Sequence, residues 1–119
     1  MLICMKCVPF SMFYRYEEAE EAHPVEGVRR KMIACGENVQ IIEFFLPKGA
    51  VFPLHVHPHE QTGFINNGRL RVTIGTEVAE LGPGDGYFVP PNVEHGTEAL
   101  EDCVNVDVFS PPREEYRDR

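Results

Sequence analysis

From Gly27 onward the apolar residues fall in short runs, each closed by turn-forming residues. The runs are 29–34, 39–46, 63–65, 70–74, 87–89 and 103–109. Between them lie Gly36-Glu37-Asn38, Pro47-Lys48-Gly49, Asn66-Asn67-Gly68, Gly82-Pro83-Gly84-Asp85-Gly86 and Pro90-Pro91-Asn92. Short strands at near-regular spacing predict an all-β sandwich or barrel. Asn67-Gly68 ahead of the alternating Leu70, Val72 and Ile74 predicts a hairpin, because both turn residues tolerate positive φ. Pro83-Gly84-Asp85-Gly86 predicts another tight turn. The one helix candidate is Tyr16–Ala22, a short acidic stretch stopped by Pro24. In 103–109, Cys103, Asn105, Asp107 and Phe109 share one face and Val104, Val106 and Val108 the other. The pattern divides the chain into an N-terminal segment (1–26) with a candidate edge strand and short acidic helix, a β domain (27–113), and a charged C-terminal tail (114–119).

Composition narrows the function classes. A chain of 119 residues is one domain by length, and 43% apolar with 25% charged residues is a globular composition. The net charge of −8 argues against a nucleic-acid partner, whose phosphates most of this surface would repel. No apolar run approaches the ~20 residues that span a bilayer. The opening Met1–Phe10 is apolar but short and lacks a small-residue cleavage site, so it is not read as a signal peptide. A cytoplasmic location with no membrane partner is expected. Four cysteines include one CxxC, Cys4 and Cys7, with no second pair at zinc-site spacing. Reduced thiols are expected throughout, with a redox or metal role for Cys4 and Cys7 as the alternative.

Candidate chemistry begins at the histidines. His55, His57 and His59 alternate along an expected strand and so share a face, which is how a β scaffold presents imidazole nitrogens to a transition metal. Gln61 continues the parity and offers a carbonyl oxygen, and His95 is the candidate for a further ligand. His23, beside Pro24, reads as a solvated loop residue.

These residues carry a resemblance. Gly49-x5-His55-x-His57-x3-Gln61-x6-Gly68 resembles the first motif of the cupins, and Gly84-x5-Pro90-x-Asn92-x2-His95 resembles the second. The resemblance implies an antiparallel jelly-roll barrel (a double-stranded β-helix) with both motifs facing one open end. It implies one divalent transition metal (nickel, zinc, manganese or iron) on His55, His57, Gln61 and His95. Gln61 stands where the family usually has a glutamate ligand, and Asn92 where it has a glycine. Asparagine also adopts the left-handed turn, so the second motif survives that change. A neutral amide in place of a carboxylate leaves a bound ion one charge unit more positive. That favours polarising a carbonyl or enol oxygen over stabilising a higher oxidation state. The alternative is a Gln61 that only hydrogen-bonds beside a histidine site, with His59 at the mouth or in the surrounding shell.

The string His57-Pro58-His59-Glu60-Gln61 and the tail Asp107-Val108-Phe109-Ser110-Pro111-Pro112-Arg113 are similar to the small pectin- and alginate-pathway cupins of the KdgF type. Those convert 4,5-unsaturated monouronates to a linear keto form. The resemblance implies Asp107 as general acid/base, Arg113 as partner of the substrate carboxylate and Phe109 as an apolar wall for the sugar ring. A solvated or capping Asp107, a core Phe109 and a salt-bridged Arg113 are the alternatives. Three functions stay open: a non-redox, isomerase-like enzyme of sugar-acid metabolism, a metal-dependent dioxygenase, and a non-catalytic binding module. Six or more strands with valines on both faces leave apolar surface that one small barrel does not cover, and with open sheet edges this predicts a homodimer.

Overall fold

The computed structural model describes residues 11–117. Cys4, Cys7 and most of the expected N-terminal edge strand lie outside the described residues. The chain forms two antiparallel sheets. The larger has the order β1 (Glu21–Ala22), β2 (Arg29–Cys35), β3 (Gln40–Leu46), β10 (Cys103–Ser110), β5 (Glu60–Asn67), β8 (Gly86–Val89). The smaller has the order β4 (Val51–His55), β9 (His95–Ala99), β6 (Leu70–Ile74), β7 (Glu77–Leu81).

The sheets face each other as a jelly roll but do not close into the expected barrel, since among the described residues no ladder joins an edge of one to an edge of the other. The connections explain this. At 47–50, 56–59, 68–69, 82–85, 90–94 and 100–102 the chain leaves one sheet for the other, so strands consecutive in sequence separate rather than pair. Asn67-Gly68 is one of these crossings and not a hairpin. Gly68 has φ 87°, and a Cβ there would sit 2.2 Å from the Asp102 carbonyl oxygen. The two-residue hairpin is Gly75-Thr76, joining β6 to β7 with Ile74 opposite Glu77.

The core lies between the sheets, where Ile42, Phe44 and Leu46 of β3 meet Ile65, Leu70, Val72 and Ala99. Strand β3 alternates buried and half-buried residues along its whole length, as a strand with one inward face should. The expected helix over 16–22 is instead a 3-10 turn at Tyr16–Glu18 followed by β1. Four glutamates in so short a stretch oppose a costly helix nucleus, and the edge of β2 offers backbone partners in its place. Tyr116, in the segment expected as a charged tail, is buried with its ring against Phe44 and Phe109. Cys103 is a buried free thiol, whereas Cys35 is disulfide-bonded, against the expectation that every thiol is reduced.

Candidate metal centre

The site is built where the two sheets open at one end. His55 closes β4 and His95 opens β9, and the ladder places them opposite each other with ring centroids 4.2 Å apart. His57 does not continue the strand as its alternation suggests: β4 ends at His55, and Pro58 follows in the turn into β5. The turn is held from the second motif, where Asn92, at φ 63°, donates its N–H to the His57 carbonyl at 2.9 Å. That folds the His57 ring back to 4.6 Å from His95. One ring nitrogen from each of His55, His57 and His95 lies within 4.8 Å of the others.

Orientation strengthens the case. The Nδ1 atoms of His55 and His95 each lie 2.9 Å from a backbone carbonyl, those of Pro53 and Val93. A carbonyl only accepts, so each Nδ1 carries the proton and Nε2 keeps its lone pair. His57 is fixed in the same way, its Nδ1 donating to the His59 carbonyl at 3.2 Å. His59 itself stands outside the three-histidine group, half-buried with its ring 5.3 Å from His57. Burial, then the charge of Arg113, depresses the His57 pKa to about 4, and burial lowers that of His95. These imidazoles are therefore neutral near pH 7, the form that ligates a metal.

Two atoms show what is missing from the protein's own bonding. His95 Nε2 is buried with no hydrogen-bond partner. His57 Nε2 faces Gln61 Oε1 at 3.1 Å, and with Nδ1 protonated both atoms are acceptors. A cation shared between them removes that conflict, so the residues fit a divalent ion.

The opposite wall belongs to β5, β8 and β10. Strand β10 inverts the usual burial rule: Cys103, Asn105, Asp107 and Phe109 are buried, while Val104, Val106 and Val108 are only half-covered on the outer face. Asp107 accepts hydrogen bonds from the Tyr87 hydroxyl and from Asn105 Nδ2 (3.2 Å), and the Gln61 side chain reaches it as well. A carboxylate takes only donors, so the Gln61 amide turns its nitrogen to Asp107 and its oxygen to the histidines. Burial raises the Asp107 pKa to about 6, with the three hydrogen bonds opposing it. Arg113 stacks over Tyr116 and Phe109, pairs with Glu115, and keeps a buried Nε with no partner.

The cupin domain matches residues 42–109 of the chain. This protein belongs to the cupin family. It is 32% identical over 93 residues to the pectin degradation protein KdgF of Dickeya dadantii, covering 76% of this chain and 84% of that one. Its structure is similar to that of KdgF from Halomonas sp., with a TM-score of 0.82 and 31% identity over 88% of this chain and 97% of that one. It is also similar to an RmlC-like cupin from Shewanella frigidimarina, with a TM-score of 0.85 and 29% identity over 89% and 96% of the two chains.

His55, Gln61, His95, Asp107, Phe109 and Arg113 all line one cavity of this cupin, with His57 directly behind Gln61. Phe109 is at once core and wall: it is 2% exposed, and its ring lies 5.9 Å from His57. Among the lining residues that escaped the sequence reading are the two that bond to Asp107, Tyr87 and Asn105. Their trace in the sequence is Gly63, a glycine inside a strand, which marks a place where other groups approach closely.

Proposed function

We propose that this cupin is a non-redox enzyme that linearises a 4,5-unsaturated monouronate, using a divalent transition metal on His55, His57, Gln61 and His95. The observation that carries the reading is Asp107: an ionisable group turned inward on β10, while valines face out, across the cavity from histidines whose Nε2 atoms point inward. Likeness to two KdgF proteins supports the substrate class.

The chemistry needs no oxidant. The C1 hydroxyl loses a proton, the C1–O5 bond breaks, and the enol released at C5 takes a proton at C4 to become a ketone. A bound divalent ion would supply Lewis-acid polarisation of a substrate oxygen. Asp107 moves the proton, and its raised pKa suits it to give and take one near neutrality. Arg113 takes the substrate carboxylate, and Phe109 packs against the ring. The free space at present is about 40 Å³, room for a few waters. Arg113, which lines the cavity, would exchange its Glu115 partner for the substrate carboxylate.

A homodimer is part of the same reading. Phe64 and Phe88 lie diagonally across β5 and β8 on the outer face of the large sheet, 44% and 49% exposed, an apolar pair suited to a second copy.

The test is turnover. Metal-loaded protein mixed with a 4,5-unsaturated monouronate should bleach the absorbance of the conjugated enol acid without consuming oxygen. No bleaching overturns the reading, and bleaching with oxygen uptake transfers the protein to the dioxygenases.

A further inference from the structure

Strand β5 lies between β8 and β10, and its Gly63 is opposite Tyr87 on one side and Asp107 on the other. The three residues form a row across the inner face of the large sheet. Any side chain at the middle position would separate the outer two. A Cβ built on Gly63 would sit 2.2 Å from Asp107 Oδ1 and 2.6 Å from the Tyr87 hydroxyl oxygen. Glycine there lets the Tyr87 hydroxyl reach across a whole strand to the Asp107 carboxyl. Asn105, two residues before Asp107 on the same face, donates to the Tyr87 oxygen at 2.8 Å and to Asp107 Oδ2 at 3.2 Å. Each carboxylate oxygen thus has its own donor, and the Tyr87 hydroxyl is itself held from behind.

We infer that Tyr87, admitted by Gly63 and braced by Asn105, is a positioning residue that fixes the Asp107 carboxyl for proton transfer. The inference rests on the reading of Asp107 as acid/base and deepens it. A purely structural tyrosine could be held by any acceptor in the core. Here the hydroxyl meets the one carboxylate of the cavity, and a glycine clears its path. A carboxylate held at both oxygens cannot rotate, and misplacing a reacting group by about 1 Å costs on the order of 100-fold in rate.

The experiment compares wild type, Tyr87→Phe and Gly63→Ala, each metal-loaded, on the unsaturated monouronate. Y87F keeps the ring and loses the hydroxyl. G63A keeps the hydroxyl and pushes it off the carboxylate. In both, kcat should fall about 10- to 100-fold, with KM within about twofold of wild type and metal content unchanged. A structural role would lower Tm and leave the kcat of folded, loaded protein alone. Wild-type kcat in folded Y87F overturns the inference, and should Y87F not fold, G63A decides by the same criterion. A second readout needs no turnover: the buried Tyr87 hydroxyl proton, seen by NMR in wild type and absent in Y87F, should shift in Asp107→Asn. No shift overturns the contact even if wild type is inactive on the uronate, an inactivity that would itself count against the function rather than against the positioning.

Discussion

The two walls of the cavity are built on opposite principles. On the small-sheet side, His55, His57 and His95 have every Nδ1 tied to a backbone carbonyl, while their other nitrogens meet either nothing or another acceptor. On the large-sheet side, Asp107 has more donors than its two oxygens strictly require. Buried polar groups are normally satisfied, so a wall left short of donors points to a ligand the protein must acquire. A saturated wall points to a group held still for chemistry. Gln61 joins the two, its oxygen on one side and its amide nitrogen on the other.

The largest effect should come from Asp107→Asn, which removes the proposed proton carrier and leaves the histidine wall whole. Turnover should drop by about 100-fold or more with metal content unchanged, measured by steady-state kinetics beside elemental analysis. The same variant carries a pH signature. Burial raises the Asp107 pKa from 3.8 to about 6, so ionised Asp107 opposes folding above about pH 6, and the opposition vanishes below about 4. Metal-free D107N should therefore exceed wild type in stability at pH 7–8 and lose that advantage as the pH falls through this window, read by urea unfolding. A pH-independent difference would contradict the assignment.

Gln61→Glu comes next, because it strikes the join. The carboxylate still offers an oxygen to the metal but lowers its Lewis acidity, and it replaces a donor to Asp107 by a like charge. Metal content should hold and kcat should fall about 10-fold; unchanged kcat would remove Gln61 from the account. Smallest is Glu115→Gln. Freed of its partly exposed ion pair, Arg113 should bind the substrate carboxylate more readily, and KM should fall up to about fivefold with kcat unchanged. A higher KM would show that Glu115 helps to place Arg113 rather than competing for it.

These walls were unequally legible in the sequence. The histidine wall was legible in two steps: spacing singled out His55 and His57 with His95 as a further candidate, and the cupin resemblance joined the three into one site. The alternation misled in extending one strand face through His57 and His59: β4 ends at His55, the chain crosses sheets at Pro58, and His59 falls outside the three-histidine group. Asp107 stands out because strand 103–109 buries its polar face, a reversal that periodicity detects without saying which face is inward. Tyr87 and Asn105 were invisible because their importance depends on register. Nothing local says that Gly63 will lie between residues 24 and 44 positions further on, and that row exists only once β5 is sandwiched by β8 and β10. The barrel expectation failed for a related reason, since turn signals mark where a strand stops and not which sheet receives the next one.

The histidine wall of His55, His57 and His95 is proposed to hold a divalent ion. The direct measurement is metal content in protein purified without chelator, beside His95→Ala. The account predicts near-stoichiometric nickel, zinc, manganese or iron in the wild type and its loss in the variant, which removes a buried ring nitrogen of the three-histidine group that has no other partner. A wild type that holds no metal even after reconstitution, or an H95A protein that holds as much, would contradict it.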